Sequence, residues 1–152
     1  MKQRTLVLIK PDAVVNRHIG NIVERYENEG FDIVAMRMLE MDDCIASKHY
    51  AEHIGRPYYQ RLVDFMASDR IVALVVEGEN AIERVRAING KTDPKLATPG
   101  SIRSDFALSK TVNTVHASDS VENAEREIHV FFSETEIYQP NHDVNFSQFN
   151  GD

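Results

Sequence analysis

The sequence is poor in the residues that would tie it together covalently or carry it through a membrane. It has one cysteine, Cys44, and no tryptophan. A single thiol excludes an internal disulfide framework and a cysteine-ligated zinc. No apolar run is long enough to span a bilayer. The first, Leu6–Ile9, lies between Arg4 and Lys10 and is too short even for the core of a secretion signal. The expectation is a cytoplasmic protein with no membrane partner. Positive charge is also in deficit: 17 Lys and Arg stand against 24 Asp and Glu, a net of −7. Non-specific binding to a phosphate backbone needs a basic field, so nucleic acid is not expected as the main partner. Internal repeats, low-complexity blocks and linkers are absent as well.

What is present is enough apolar material, 42% of 152 residues, for one domain with a real core. The charge is segregated. Residues 1–118 carry 16 basic and 16 acidic side chains, whereas residues 119–152 carry one basic residue, Arg126, and eight acidic ones. The first 118 residues can therefore hold a locally positive site.

The stretch Thr5–Ile9, ended by Lys10-Pro11-Asp12, reads as a strand buried on both faces. Ile19, Ile22, Val23 and Tyr26 recur at helical spacing until Gly30. Phe31, Ile33, Ala35, Met36 and Met38 suggest a second strand, and residues 44–54 a helix. Pro57 marks the start of another helix through Leu62, Val63, Phe65 and Met66. Ile71–Val76 is a third strand, and Ala81, Ile82, Val85 and Ile88 mark a helix closed by Gly90. Residues 90–112 have no sustained period and contain Pro94, Pro99 and Gly100. They read as a long loop with at most one short turn, and loops of that length are commonly functional. Thr114–His116 is extended. Val121, Ala124, Ile128 and Phe131 mark a last helix capped by Asp119 or Ser120. From Tyr138 the chain is polar and aperiodic. The alternation predicts helices packed on a sheet, in the α/β or α+β class.

Asn89-Gly90-Lys91-Thr92 ends like a phosphate-binding P-loop, but Val85 stands where the first glycine is needed, a helix precedes it and Pro94 follows. His49 and His53, spaced i, i+4, show no third ligand in the sequence and are read as ordinary helix residues. The richest stretch is Asn113-Thr-Val-His116-Ala-Ser118-Asp119-Ser120 with Glu127. A histidine enters a turn of small residues before a helix, and a carboxylate on that helix can fix its tautomer and leave the other ring nitrogen nucleophilic. Lys10, Arg86, Thr92 and Arg103 can clamp a polyphosphate. Tyr58 and Leu62, spaced i, i+4, can form a slot for a flat ring.

Together these segments resemble nucleoside diphosphate kinases over about residues 3–138. The resemblance runs through Arg4–Ala13, through Tyr50–His53 and Arg56–Leu62, through Arg86–Pro94 and Pro99–Phe106, and through Asn113–Ser120 with Glu127. It implies an α+β, ferredoxin-like sandwich with a four-stranded antiparallel sheet covered by helices. It implies ping-pong transfer of a γ-phosphoryl group from a nucleoside triphosphate to a nucleoside diphosphate, with broad base specificity. Mg²⁺ would be held mainly by the nucleotide phosphates rather than by protein ligands. His116 would carry the phosphoryl group, with Glu127 and Ser118 orienting its ring. Arg86, Thr92 and Arg103 would bind phosphates, and Tyr50 would support them. Lys10 and Asn113 would contact the sugar, Lys10 also helping to place the transferred group, and Tyr58 and Leu62 would hold the base. A homo-oligomer, tetramer or hexamer, is implied, with residues 1–138 as one domain and the polar tail 139–152 at a subunit interface. A regulatory or nucleic-acid-binding module on the same fold is the alternative. The sequence departs from the usual pattern at Tyr58, Asp69-Arg70, Lys110 and Ala117.

Overall fold

The computed structural model describes residues 1–151. The first strand, β1 (Lys2–Ile9), lies inside a four-stranded sheet of order β2-β3-β1-β4, all pairs antiparallel. The others are β2 (Asp32–Glu40), β3 (Arg70–Glu79) and β4 (Val115–Ala117). The apolar runs of β1 and β3 follow from this position, because helices cover both faces and alternating side chains on each strand enter two different cores. Leu6, Leu8, Ala73 and Val75 point to one face. There they meet α3 (Asp43–His49), α4 (Tyr59–Met66) and α7 (Val121–Phe131). Val7, Ile9, Val72 and Leu74 point to the other. There they meet α1 (Pro11–Val15), α2 (Ile19–Asn28) and α5 (Ala81–Asn89). This is the α+β, ferredoxin-like arrangement that the resemblance implies.

Several boundaries differ from the sequence reading. Pro11 does not merely stop β1; it opens α1 from the first helical position, where its missing N–H costs nothing. The helix expected over 44–54 ends at His49. Tyr50 leaves helical geometry at φ −102°, ψ 30°, and Ala51–His53 form a separate 3₁₀ turn. α4 begins at Tyr59, two residues after Pro57. The long loop contains α6 (Ile102–Phe106), capped by Ser101, whose Oγ accepts from the Ser104 amide. Of the two caps considered for α7, Ser120 serves, its Oγ accepting from the Asn123 amide at 3.1 Å.

The departures from the family pattern have local explanations. Asp69 closes the turn before β3 by accepting from the Arg70 amide at 2.8 Å. Ala117 lies in β4 without a positive φ, so no glycine is needed there. Lys110 is exposed, 3.9 Å from the Asp93 carboxylate. Among the described residues no helix is long and apolar enough to cross a membrane. The tail runs back along the sheet: Tyr138 donates its amide to Val34 O, and His142 meets Asp32.

Candidate functional site

β4 pairs with Val7–Ile9, which sets His116 opposite Leu8 and so on the face covered by α3 and α7. Ser118 fixes the far end of the strand. Its amide donates to Leu6 O at 3.1 Å, and its Oγ accepts from the Leu6 amide at 3.2 Å. The same hydroxyl donates to Glu127 Oε1 at 3.1 Å. That oxygen lies 2.5 Å from His116 Nε2. Glu127 is buried on α7, while His116 remains about a quarter exposed. A carboxylate partner keeps the ring proton on Nε2 and leaves Nδ1 with the free lone pair.

The turn before His116 is strained. Thr114 has φ 76°, a left-handed conformation unfavourable for a β-branched residue. Its neighbours close a three-residue turn, with the Val115 amide donating to Asn113 O at 2.8 Å. The start of α1 holds this turn from outside. Lys10 donates its amide to Thr114 O at 2.9 Å and its Nζ to Asn113 Oδ1 at 2.6 Å. Thr114 Oγ1 donates to Asp12 Oδ2 at 3.0 Å. Burial of the Lys10 ammonium, aided by the nearby Arg103 charge, pulls its pKa down to about 8.

Arg103, on α6, has a more structural position than phosphate binding alone requires. Its guanidinium donates to Gly90 O at 2.6 Å, Val115 O at 2.7 Å and Asn113 O at 3.3 Å. Three of its five N–H donors are thus spent on stitching the loop to β4, leaving two for a ligand. Gly90 makes the stitch possible: its φ is 87°, and a Cβ there would collide with the Ser101 side chain.

These elements enclose a cavity of about 260 Å³. Arg86, Thr92, Arg103, Asn113, Tyr50, His116 and Glu127, all singled out in the sequence, line it together. Lys10 and Ser118 act from behind the wall through Asn113 and Glu127. Tyr58 and Leu62 are not on this wall. Tyr58 is half-exposed at the start of α4, its hydroxyl 2.6 Å from Nδ1 of the wall residue His53. Leu62 packs into the core.

Among the wall residues given no role by the sequence reading, two stand beside the His116–Glu127 pair. His49 does not pair with His53. It is buried, and its ring stands edge-on to His116 with centroids 4.9 Å apart. Burial, then the charges of His116, Arg126, Lys10 and His53, push its pKa to about 2, so it stays neutral. Arg126 lines the cavity with Nη1 donating to Lys48 O at 3.0 Å and Nη2 3.9 Å from Glu127 Oε2. The one available signal was that Arg126 is the sole cation after residue 118 and precedes Glu127. A cavity walled by three arginines, with one free ring nitrogen, can bind a polyanion and accept a group onto that nitrogen.

The sequence model of the nucleoside diphosphate kinase family matches residues 3–137. The nucleoside diphosphate kinase of Methanocaldococcus jannaschii is 56% identical over 138 residues, covering 91% of this chain and 99% of the relative. That of Pyrococcus furiosus is 49% identical over 140 residues, covering 90% and 87%. Among solved structures, a halophilic nucleoside diphosphate kinase from Halobacterium salinarum in complex with CDP superposes with a TM-score of 0.89 at 37% identity, covering 98% of each chain. The Aquifex aeolicus nucleoside diphosphate kinase superposes with a TM-score of 0.88 at 45% identity, covering 90% of this chain and 99% of that one.

Proposed function

The chain belongs to the nucleoside diphosphate kinase family, and on that premise we propose that it carries the transferred phosphoryl group on His116. As a member of the family it is a phosphotransferase acting between nucleoside triphosphates and diphosphates. His116 Nδ1 attacks the γ-phosphorus in line; the P–N bond forms as the bond to the β-phosphate oxygen breaks, and a nucleoside diphosphate leaves. A second diphosphate then binds in the same place, and its terminal oxygen takes the phosphoryl group back from nitrogen. The positive charge that gathers on the imidazole during the first half is met by Glu127, which holds the Nε2 proton throughout. Splitting the reaction this way lets one pocket serve donor and acceptor in turn.

Arg86, Thr92 and the two spare donors of Arg103 bind the phosphates, and the Tyr50 ring closes the wall beside them. Asn113 meets the sugar hydroxyls from the wall, with the Lys10 ammonium joined to it from behind, and Lys10 adds charge near the transferred group. Tyr58 offers its half-exposed ring to the base, and Leu62 supports the helix beneath it from the core. A base held by stacking is weakly discriminated, so tolerance of all bases follows. The wall suits Mg²⁺ brought in on the nucleotide: Asp119, kept ionised by the hydrogen bond from Asn123, and Glu52 offer hard oxygen donors beside the phosphate site. Bound there, the ion would offset charge on the phosphate oxygens.

Residues 1–138 form the catalytic domain in this reading, and residues 139–152 meet a neighbouring subunit of a homo-oligomer. Supporting this, among the described residues hydrogen bonds from the tail to the rest of the chain end at His142, while Phe146 and Phe149 stay exposed.

The 2.5 Å pairing of His116 with buried Glu127 under an arginine-lined wall carries the proposal. Incubation with γ-labelled ATP tests it. Acid-labile, base-stable label on the wild-type protein, and none on His116→Ala, is the expected result; label retained by His116→Ala overturns it.

A further inference from the structure

His49 has no part in the transfer just described, yet it adjoins its centre. It ends α3, is buried, and its Nδ1 has no hydrogen-bond partner. Its ring plane lies at 87° to that of His116. His49, His116 and Glu127 each present one ligand atom, and these three atoms lie within 4.8 Å of one another. They come from three separate elements, α3, β4 and α7, so no local spacing in the sequence announces them.

Two imidazoles and one carboxylate form the donor set of open zinc sites, in which water completes the tetrahedron. Bonds of about 2.0–2.1 Å in a tetrahedron place ligand atoms about 3.4 Å apart. The longest separation here must close by at most about 1.4 Å, which rotation of side chains can supply. We propose that the unphosphorylated protein binds a borderline-soft divalent cation of the Zn²⁺ class through His49, His116 and Glu127, and that this ion switches off phosphoryl transfer. The binding stands on the geometry alone; the inhibition rests on His116 being the nucleophile.

The loss of activity follows from the chemistry of the ring. If the ion takes Nδ1, the attacking lone pair is occupied directly. If it takes Nε2, it displaces the proton shared with Glu127, and the neutral ring keeps its one proton on Nδ1 instead. Either way Nδ1 has no lone pair to offer. Mg²⁺ does not compete, because it prefers oxygen donors and gives up its water reluctantly. An ion on Nδ1 and a phosphoryl group on Nδ1 exclude each other, because both need the same lone pair. His53, Glu52 and Asp119 also line the cavity, so they are the competing ligands that a test must separate.

The test is a titration of metal-free, unphosphorylated protein with ZnCl₂ against a colorimetric zinc chelator. One equivalent is expected to bind, at least tenfold more weakly in His49→Gln, with His53→Gln within about twofold of wild type. Wild-type affinity in His49→Gln, or its loss in His53→Gln, overturns the site. Should His49→Gln fail to fold, imidazole NMR of the wild-type protein decides. Zinc is expected to shift the His49 and His116 ring resonances at one equivalent and leave His53 unmoved; the reverse pattern overturns the proposal. In the labelling assay, one equivalent of Zn²⁺ is expected to block transfer from γ-labelled ATP in millimolar Mg²⁺, and a chelator to restore it; undiminished labelling of the zinc-loaded protein overturns the switch. Because the titration needs no phosphoryl transfer, a protein that binds zinc at these residues but takes no label supports the site and overturns only the nucleophile assignment.

Discussion

Glu77 and Glu127 are both 4% exposed, and both are surrounded by donors. Around Glu77, near the end of β3, stand Arg4 with Nε at 2.8 Å, Gln139 with Nε2 at 2.7 Å and Lys2 with Nζ at 3.2 Å. Around Glu127 stand the His116 imidazole at 2.5 Å and the Ser118 hydroxyl at 3.1 Å. Arg4 and Lys2 keep their charges whatever else happens, so Glu77 can stabilise only the resting fold. On the proposed mechanism the imidazole gains charge as it takes a phosphoryl group, so Glu127 would stabilise the transition state more than the ground state, which is what accelerates a reaction. Equal burial thus gives opposite uses, and the difference lies in whether the partner's charge can change.

The sharpest way to break this contrast is to remove each carboxylate charge in turn. Glu127→Gln is expected to lower kcat/KM by about 10²–10⁴-fold while the melting temperature barely moves. Steady-state assays and calorimetry on one preparation check both halves. Glu77→Gln should do the reverse, leaving kcat/KM within about twofold while its three donors lose their charged acceptor at a cost of about 1.5–3 kcal/mol in stability. An inactive but stable Glu77→Gln would end the comparison.

Acidity sharpens the same contrast. Burial raises the pKa of Glu77, but hydrogen bonds from Arg4, Gln139 and Lys2 outweigh it and hold the net value below 4.5. A depressed carboxylate pKa gives stability that is full above the unfolded value and lost as pH falls through the folded one. The melting-temperature gap between wild type and Glu77→Gln should therefore narrow in acid, and a gap that persists at pH 2 would contradict the assignment.

Lys10 tests the cationic side. Its folded pKa, about 8, lies below its ordinary value of 10.5. The buried ammonium costs stability in full below pH 8, and that cost is relieved as pH rises toward 10.5. Nucleotide KM should rise above about pH 8 as the charge is lost, and Lys10→Arg should abolish that limb because arginine stays protonated. The smallest effect is expected from Ser118→Ala. Losing one hydrogen bond to Glu127, worth about 0.5–1.5 kcal/mol, should slow kcat by roughly two- to tenfold.

The central strands were readable because β1 is unbroken apolar from Leu6 to Ile9 and β3 from Ile71 to Val76, and α7 because its period and its Ser120 cap agree. The pairing of His116 with Glu127 was readable because both lie in one short stretch. α1 was hidden by Pro11, which both ends strands and opens helices. No glycine or proline announces the break at Tyr50, and α6 rests on a serine cap inside a loop without period. His49 reaches His116 only through the packing of α3 against α7. The three carbonyls around Arg103 are likewise assembled by the chain's path, and no side-chain pattern encodes a backbone acceptor.

The strained turn at Thr114 has a consequence for motion. The Lys10 amide is protected by Thr114 O, and Val115 beside it pairs with Ile9 in the sheet, so one segment cannot open while the other stays closed. Lys10 continues directly from β1, an interior strand of the sheet. In native-state hydrogen exchange the Lys10 and Val115 amides should share one opening free energy, close to that of global unfolding, whereas amides of residues 51–58 and 91–100 should exchange through cheaper local openings. The floor beneath His116 then belongs to the slowest-exchanging unit of the protein, and whatever breathing admits and releases nucleotide is left to the walls.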